Sequence, residues 1–129
     1  MLVVLDSTVL IDFLRGRPAV ARVEALLSAG EDPATTAINV EEIVRGLRTA
    51  ELPAADALFA GLRVLPITTE VARGAGTWRR EYAERGVTLA QADCLIAAAT
   101  LGCGGRLATG NPRHFPMPDL TVDHWPVGE

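Results

Sequence analysis

The chain has 129 residues, 49% of them hydrophobic, which suits one domain with its own core, and a single domain over residues 1–129 is expected. Its net charge of -4 excludes a bulk electrostatic grip on long nucleic acid, so a polyanionic substrate needs local basic patches. All twelve basic residues are arginine, which excludes Walker-loop, receiver-domain and haloacid-dehalogenase-type phosphate chemistry, because each places a lysine ammonium at the phosphate.

Leu2 to Leu5 is a continuous apolar run with two valines, predicting a strand buried on both faces. Met1 leads straight into it with no basic signal-peptide leader, and no apolar run approaches the roughly 18 residues of a membrane span. A soluble, cytoplasmic protein without a membrane partner is expected. Asp6, Ser7 and Thr8 supply a helix start, and the helix from about Thr8 to Arg15 stops at Gly16. A second helix opens near Pro18 and sets Val20, Val23, Leu26 and Leu27 on one face before Gly30.

Ala34 to Ile38 reads as the second strand, with Asn39 as N-cap of a helix whose apolar stripe is Val40, Ile43, Val44 and Leu47. Pro53 opens a helical stretch to about Leu62, and Arg63 to Ile67 is the third strand. Thr68 or Thr69 caps a helix ending at Gly86, with Val71, Ala75, Trp78 and Tyr82 on its core face. Thr88 begins a capping box with Gln91, and the helix through Leu101 is apolar almost all round, so it should be central. Its Cys94 and the later Cys103 have no CxxC spacing and no histidine at finger-like spacing, and read as small core residues. Arg106 to Thr109 is the fourth strand, Asn111 to Phe115 a tight turn or short helix, and Leu120 to Asp123 a fifth strand at an edge.

Strands alternating with helices require crossover connections and cover on both sheet faces. The expected fold class is therefore α/β, a three-layer α/β/α sandwich around a central, mainly parallel sheet of four to five strands. In such sheets the ligand crevice lies beyond the carboxyl ends of the strands. Three carboxylates are candidates for that crevice. Asp6 stands at the end of the first strand, where it serves either a site or the N-cap of the next helix. Glu42 lies near the start of the helix after the second strand; it either faces the same crevice or reaches back to the Asn39 amide in a capping box, while Glu41 faces solvent. Asp93 lies in the most apolar helix, where an ionised carboxylate needs a cation, either an arginine or a metal. An arginine pair would not explain three acids at one sheet edge. Hard oxygen ligands without histidine or cysteine suit magnesium or manganese, and an ion so held can activate water against a phosphodiester.

The segments VLDSTVLIDFLRG, NVEEIVRGL, ADCLIAAATLG and LATGNPRHF resemble, in order, the motifs of PIN-domain toxins of the VapC type, over residues 3 to about 115. The resemblance implies a PIN-like doubly wound α/β/α domain and a magnesium- or manganese-dependent endoribonuclease that cuts RNA. It also implies a homodimer and a VapB-like antitoxin inserting a peptide into the cleft, a peptide that an acidic cleft would favour as basic. It assigns the metal-binding and catalytic acids to Asp6, Glu42 and Asp93. Many members carry a further aspartate near Thr109, Asn111 and His114, where this chain has none. Asn111 is then the fourth catalytic candidate, offering a neutral carbonyl or orienting a water, and the lower charge should hold a second ion more weakly than the first, leaving one or two metals open. His114 contacts a phosphate or packs beside Phe115, and Thr109 and Arg15 are further candidate RNA contacts. Arg45, Arg48 and Arg113 also fall near the predicted active face, whereas Arg79 and Arg80 are expected in solvent. Asp12 is expected to support a helix or a dimer contact. Two alternatives use the same residues: a DNA or nucleotide phosphodiesterase, and a catalytically weak PIN-like module that only binds RNA or a partner.

Overall fold

The computed structural model describes residues 1–128. Five strands form one sheet: β1 (Leu2–Leu5), β2 (Asp32–Thr36), β3 (Arg63–Leu65), β4 (Arg106–Thr109) and β5 (Val122–His124). They are ordered β3-β2-β1-β4-β5, and every neighbouring pair is parallel. The connections carry six helices: α1 (Ser7–Leu14), α2 (Ala19–Ser28), α3 (Ala37–Gly46), α4 (Leu52–Ala60), α5 (Thr69–Glu84) and α6 (Gln91–Gly102). The chain leaves β1 towards β2 on one side, while β4 pairs on the other, so the order reverses beside β1. A doubly wound sheet opens its crevice at such a switch point.

Side chains alternate across each strand and divide the interior into two layers. Val3, Leu5 and Ala108 pack with Val9 and Leu10 of α1, Val23 and Leu26 of α2 and Ile43 of α3. Val4, Ala34 and Leu107 face the opposite way, against Cys94, Ile96 and Ala97 of α6 and Ala75 and Tyr82 of α5. The three-layer α/β/α expectation holds, and α6 is the central helix, with Cys94, Ile96, Ala97, Ala98, Ala99 and Thr100 all buried. Cys94 is a reduced core residue and Cys103 is half-buried.

Several boundaries differ from the sequence reading. The second strand lies two residues earlier than Ala34 to Ile38, because Pro33 is admitted where β2 pairs with β1 but β3 has not yet begun its pairing, at Ala34. Thr36, not Asn39, then caps α3: its hydroxyl accepts from the Asn39 amide at 3.3 Å, and Asn39 answers as the third residue of a capping box. Ahead of α6, residues 87–90 have no regular secondary structure, Leu89 is buried, and Ala90 is the N-cap without a side-chain bond, so the expected Thr88–Gln91 box does not form. Leu27 and Val44, both assigned to apolar stripes, are exposed. Among the described residues no helix is long and apolar enough to cross a membrane.

Candidate active site

Asp6 follows β1 and its own backbone extends the sheet, donating to the Ala108 carbonyl at 3.0 Å. It occupies the N-cap position of α1 in extended conformation, yet its carboxylate makes no cap bond. The carboxylate is instead buried and held from two sides. Oδ1 accepts from Asn39 Nδ2 at 3.2 Å, and Oδ2 accepts from Thr109 Oγ1 at 2.7 Å, with Thr8 Oγ1 at 3.5 Å. The capping reading of Asp6 is therefore replaced by a fixed, charge-bearing group at the switch point.

Glu42 lies in the second turn of α3, too far along for the expected reach to the Asn39 amide, because the helix begins earlier than the sequence indicated. Its Oε1 accepts from Ser7 Oγ at 2.8 Å, and that hydroxyl accepts from Asn39 Nδ2 at 3.0 Å. One fully buried amide thus steers two carboxylates, Asp6 directly and Glu42 through Ser7. Glu41 points away and pairs with Arg45 in solvent.

Asp93 is in the first turn of α6 rather than its interior, where unpaired amides and the helix dipole favour an anion. Burial nonetheless pushes its carboxyl above the usual aspartate value; His114 opposes the rise, and the charges of Asp6 and Glu42 add to it. Among the described residues the basic side chain facing it is His114, with Nδ1 at 3.7 Å from Oδ2, and not an arginine. The three acids are thus within electrostatic reach of one another, Asp6 just after β1, Glu42 on the helix that follows β2, and Asp93 on the helix that precedes β4.

Could this set hold a metal? Among the described residues no three carboxylate, imidazole or thiol groups stand close enough to form a ready cage. The donor chemistry still fits a hard divalent cation, since three carboxylates are gathered without a lysine or arginine salt bridge to any of them. Magnesium keeps several waters and needs only one or two direct carboxylates, so a loose cluster suffices.

The remaining candidates separate. Thr109, expected among the RNA contacts, is wholly buried and donates its hydroxyl to Asp6. Asn111 and His114 are exposed and line one cleft with Arg113. It is Phe115, not His114, that enters the core. Arg15 and Arg48 line a groove that also contains Glu42 and Glu51. Arg79 is more than a solvated charge: its Nε donates to the Leu89 carbonyl at 3.2 Å and fixes the segment that leads into α6. Asp12 is buried and accepts from the Ala19 amide at 3.0 Å and the Gly128 amide at 2.9 Å, which makes it a helix-start support. Sequence reasoning missed Ser7 and Asn39 as positioning groups. The Thr36-x-x-Asn39 spacing was the available signal, for it would have moved the helix start and turned the Asn39 amide inward.

A parallel sheet with its switch point between β1 and β4, carrying acids after three strands, is the architecture of a PIN domain; the model of that family matches residues 3–117, and the chain belongs to it. Its relatives include "Ribonuclease VapC19" of Mycobacterium tuberculosis (strain ATCC 25618 / H37Rv), 37% identical over 90% of this chain and 94% of that one. "Ribonuclease VapC10" of the same organism is 39% identical over 90% of this chain and 87% of its own. Among solved structures, the DNA-bound VapBC of Salmonella typhimurium superposes with a TM-score of 0.83 at 25% identity, covering 97% of this chain and 99% of that one.

Proposed function

We propose that the chain is a metal-dependent endoribonuclease acting as the toxin of a toxin–antitoxin pair. The observation that carries this reading is that Asp6, Glu42 and Asp93 lie within electrostatic reach of one another beside the sheet's switch point, in a chain whose relatives are named ribonucleases. Magnesium, or manganese, would be held by these three acids and would supply Lewis-acid polarisation and an activated water. The chain's own residues arrange the rest. Asn39 and Thr109 fix the two oxygens of Asp6, leaving its remaining lone pairs for a ligand. Ser7 aims Glu42. Asn111 offers a neutral carbonyl in the place of a fourth acid, and His114, at the exposed side of Asp93, can meet a phosphate oxygen or the leaving group. Attack of water on phosphorus with departure of the ribose 3′ oxygen leaves a 3′ hydroxyl and a 5′ phosphate.

The substrate in this reading is RNA, and the partner a VapB-like antitoxin whose inhibitory segment is basic, because a cation can occupy the acidic cleft in place of the metal. A homodimer is the assembly expected of the family, and the domain spans residues 1–129. The VapBC complex that shares this fold supports the pairing. The test compares cleavage of RNA and matched DNA with magnesium, manganese or chelator. RNA is cut only with metal, and Asp6→Asn and Asp93→Asn each abolish cutting while staying folded. A folded Asp93→Asn protein with undiminished cleavage would falsify the assignment.

A further inference from the structure

Both histidines of the chain line the same cleft. This cavity of about 430 Å³ is bounded by Gly110, Asn111, Pro112, Arg113, His114 and His124. No carboxylate is among them, a local inversion of sign in a chain of net charge -4. Strand pairing sets His124 opposite Thr109, at the carboxyl ends of β4 and β5. The adjacent Asp123 is bonded to Arg106 at 2.6 Å, so its charge is spent elsewhere. His114 is the wall shared with the carboxylate site: Nδ1 faces Asp93 at 3.7 Å, which leaves Nε2 on the far side of the ring.

The wall is built rather than loose. Gly110, Asn111 and His114 donate their amides to Thr8 Oγ1, Thr109 Oγ1 and the Asn111 carbonyl at 2.9, 3.0 and 3.0 Å. A side chain at Gly110 would come within 2.9 Å of Val127, which ties the turn to the last described residues. Arg113, His114 and His124, in contrast, are exposed and free to meet a ligand. A guanidinium with two imidazoles and an amide, one of the imidazoles facing Asp93, presents donors to a tetrahedral oxyanion and repels a cation.

We propose that this cleft is a phosphate subsite, holding the backbone phosphate next to the scissile one, with Arg113 and His124 as its principal contacts. The identity of the strand as RNA rests on the ribonuclease reading; the anion preference does not. The test therefore reads binding rather than turnover. A labelled short single-stranded RNA is titrated with the full chain in chelator across a range of salt. Arg113→Ala and His124→Ala each weaken binding by about three- to ten-fold at low salt, and Arg113→Ala flattens the slope of log affinity against log salt by about 0.7. Arg113→Glu weakens binding further, whereas Arg80→Ala leaves it unchanged. Unaltered affinity and slope in the Arg113 and His124 variants would overturn the subsite whether or not the protein cuts RNA, as would absence of RNA binding by the wild-type chain. Variants that keep RNA affinity but lose the antitoxin would also overturn it, assigning the cleft to a protein segment. A wild-type chain that binds through these residues yet releases no new RNA ends with metal would keep the subsite and remove the ribonuclease reading.

Discussion

Asn39 uses both ends of its amide in a place water does not reach: Oδ1 accepts from Thr36, and Nδ2 donates to Asp6 and Ser7. Asn39→Ala removes these bonds and leaves buried oxygens without donors, so it should cost about 1–3 kcal/mol, read as a lowered urea midpoint, and slow RNA cleavage beyond what the stability loss explains. Asp93→Asn acts in the opposite direction on the metal-free protein. Its carboxyl is raised in the fold by burial, so the native state binds more protons than the unfolded chain between the ordinary and the raised value. Stability attributable to this group accordingly falls as pH rises through that window, and the full penalty is present above it. The variant should therefore melt higher than wild type near neutrality, with the gain vanishing below the reference value of about 3.9, as followed by thermal melts across pH in chelator. The placement of Asp6, Glu42 and Asp93 near one another was legible not from each acid alone, since each also had a capping or ion-pair use, but from the rule that strand ends of a parallel sheet open on one crevice. Asn39, Ser7 and Thr109 were not legible, because neutral amides and hydroxyls serve caps and turns equally well, and only their partners across the sheet show which role they take.

At the scale of elements, the strand-helix alternation was readable because β1 is an apolar run, α3 and α5 each have a periodic face, and α6 is apolar almost all round. The starts of α3 and α6 were not. In both, the residue offering the better cap in isolation lost to a tertiary demand: the Asn39 side-chain amide is claimed by the Asp6 carboxylate and the Ser7 hydroxyl, and burial of Leu89 carries the chain past Thr88 before α6 can begin. The start of α6 is consequently under-capped, with Ala90 providing no side-chain oxygen. Ala90→Ser supplies one at an exposed position and should stabilise the protein by about 0.5–1 kcal/mol, measurable as a higher urea midpoint. It should leave the register of α6 and the placement of Asp93 unchanged.

Across the whole molecule, the two ends of the parallel sheet carry opposite solutions to the same crowding of charge. At the amino ends of the strands Arg106 forks onto Glu31 at 2.8 and 2.6 Å and reaches Asp123 through Nε, joining the start of β4 to β5 and to the entry of β2. Arg106 holds the Glu31 carboxyl below its usual value of 4.5. The stabilisation is thus present above that value and is lost as pH falls through the lowered one. Arg106→Ala should melt lower at neutral pH and lose less on acidification, so the two melting curves converge in acid. At the carboxyl ends the acids have no such arginine.

The register of β1 against β4 has a consequence for synthesis. Val3 pairs with Arg106, and Asp6 accepts from the Thr109 hydroxyl, so the first strand waits for a partner 103 residues further along the chain. Such sequence-distant pairing is slow to form and cannot precede emergence of the fourth strand from the ribosome. A nascent chain carries Asp6, Glu42 and Asp93 well before it can lock Asp6 in place. The arrangement around Asp6 is therefore completed only once the fourth strand has emerged and paired, whatever the rest of the chain has already folded.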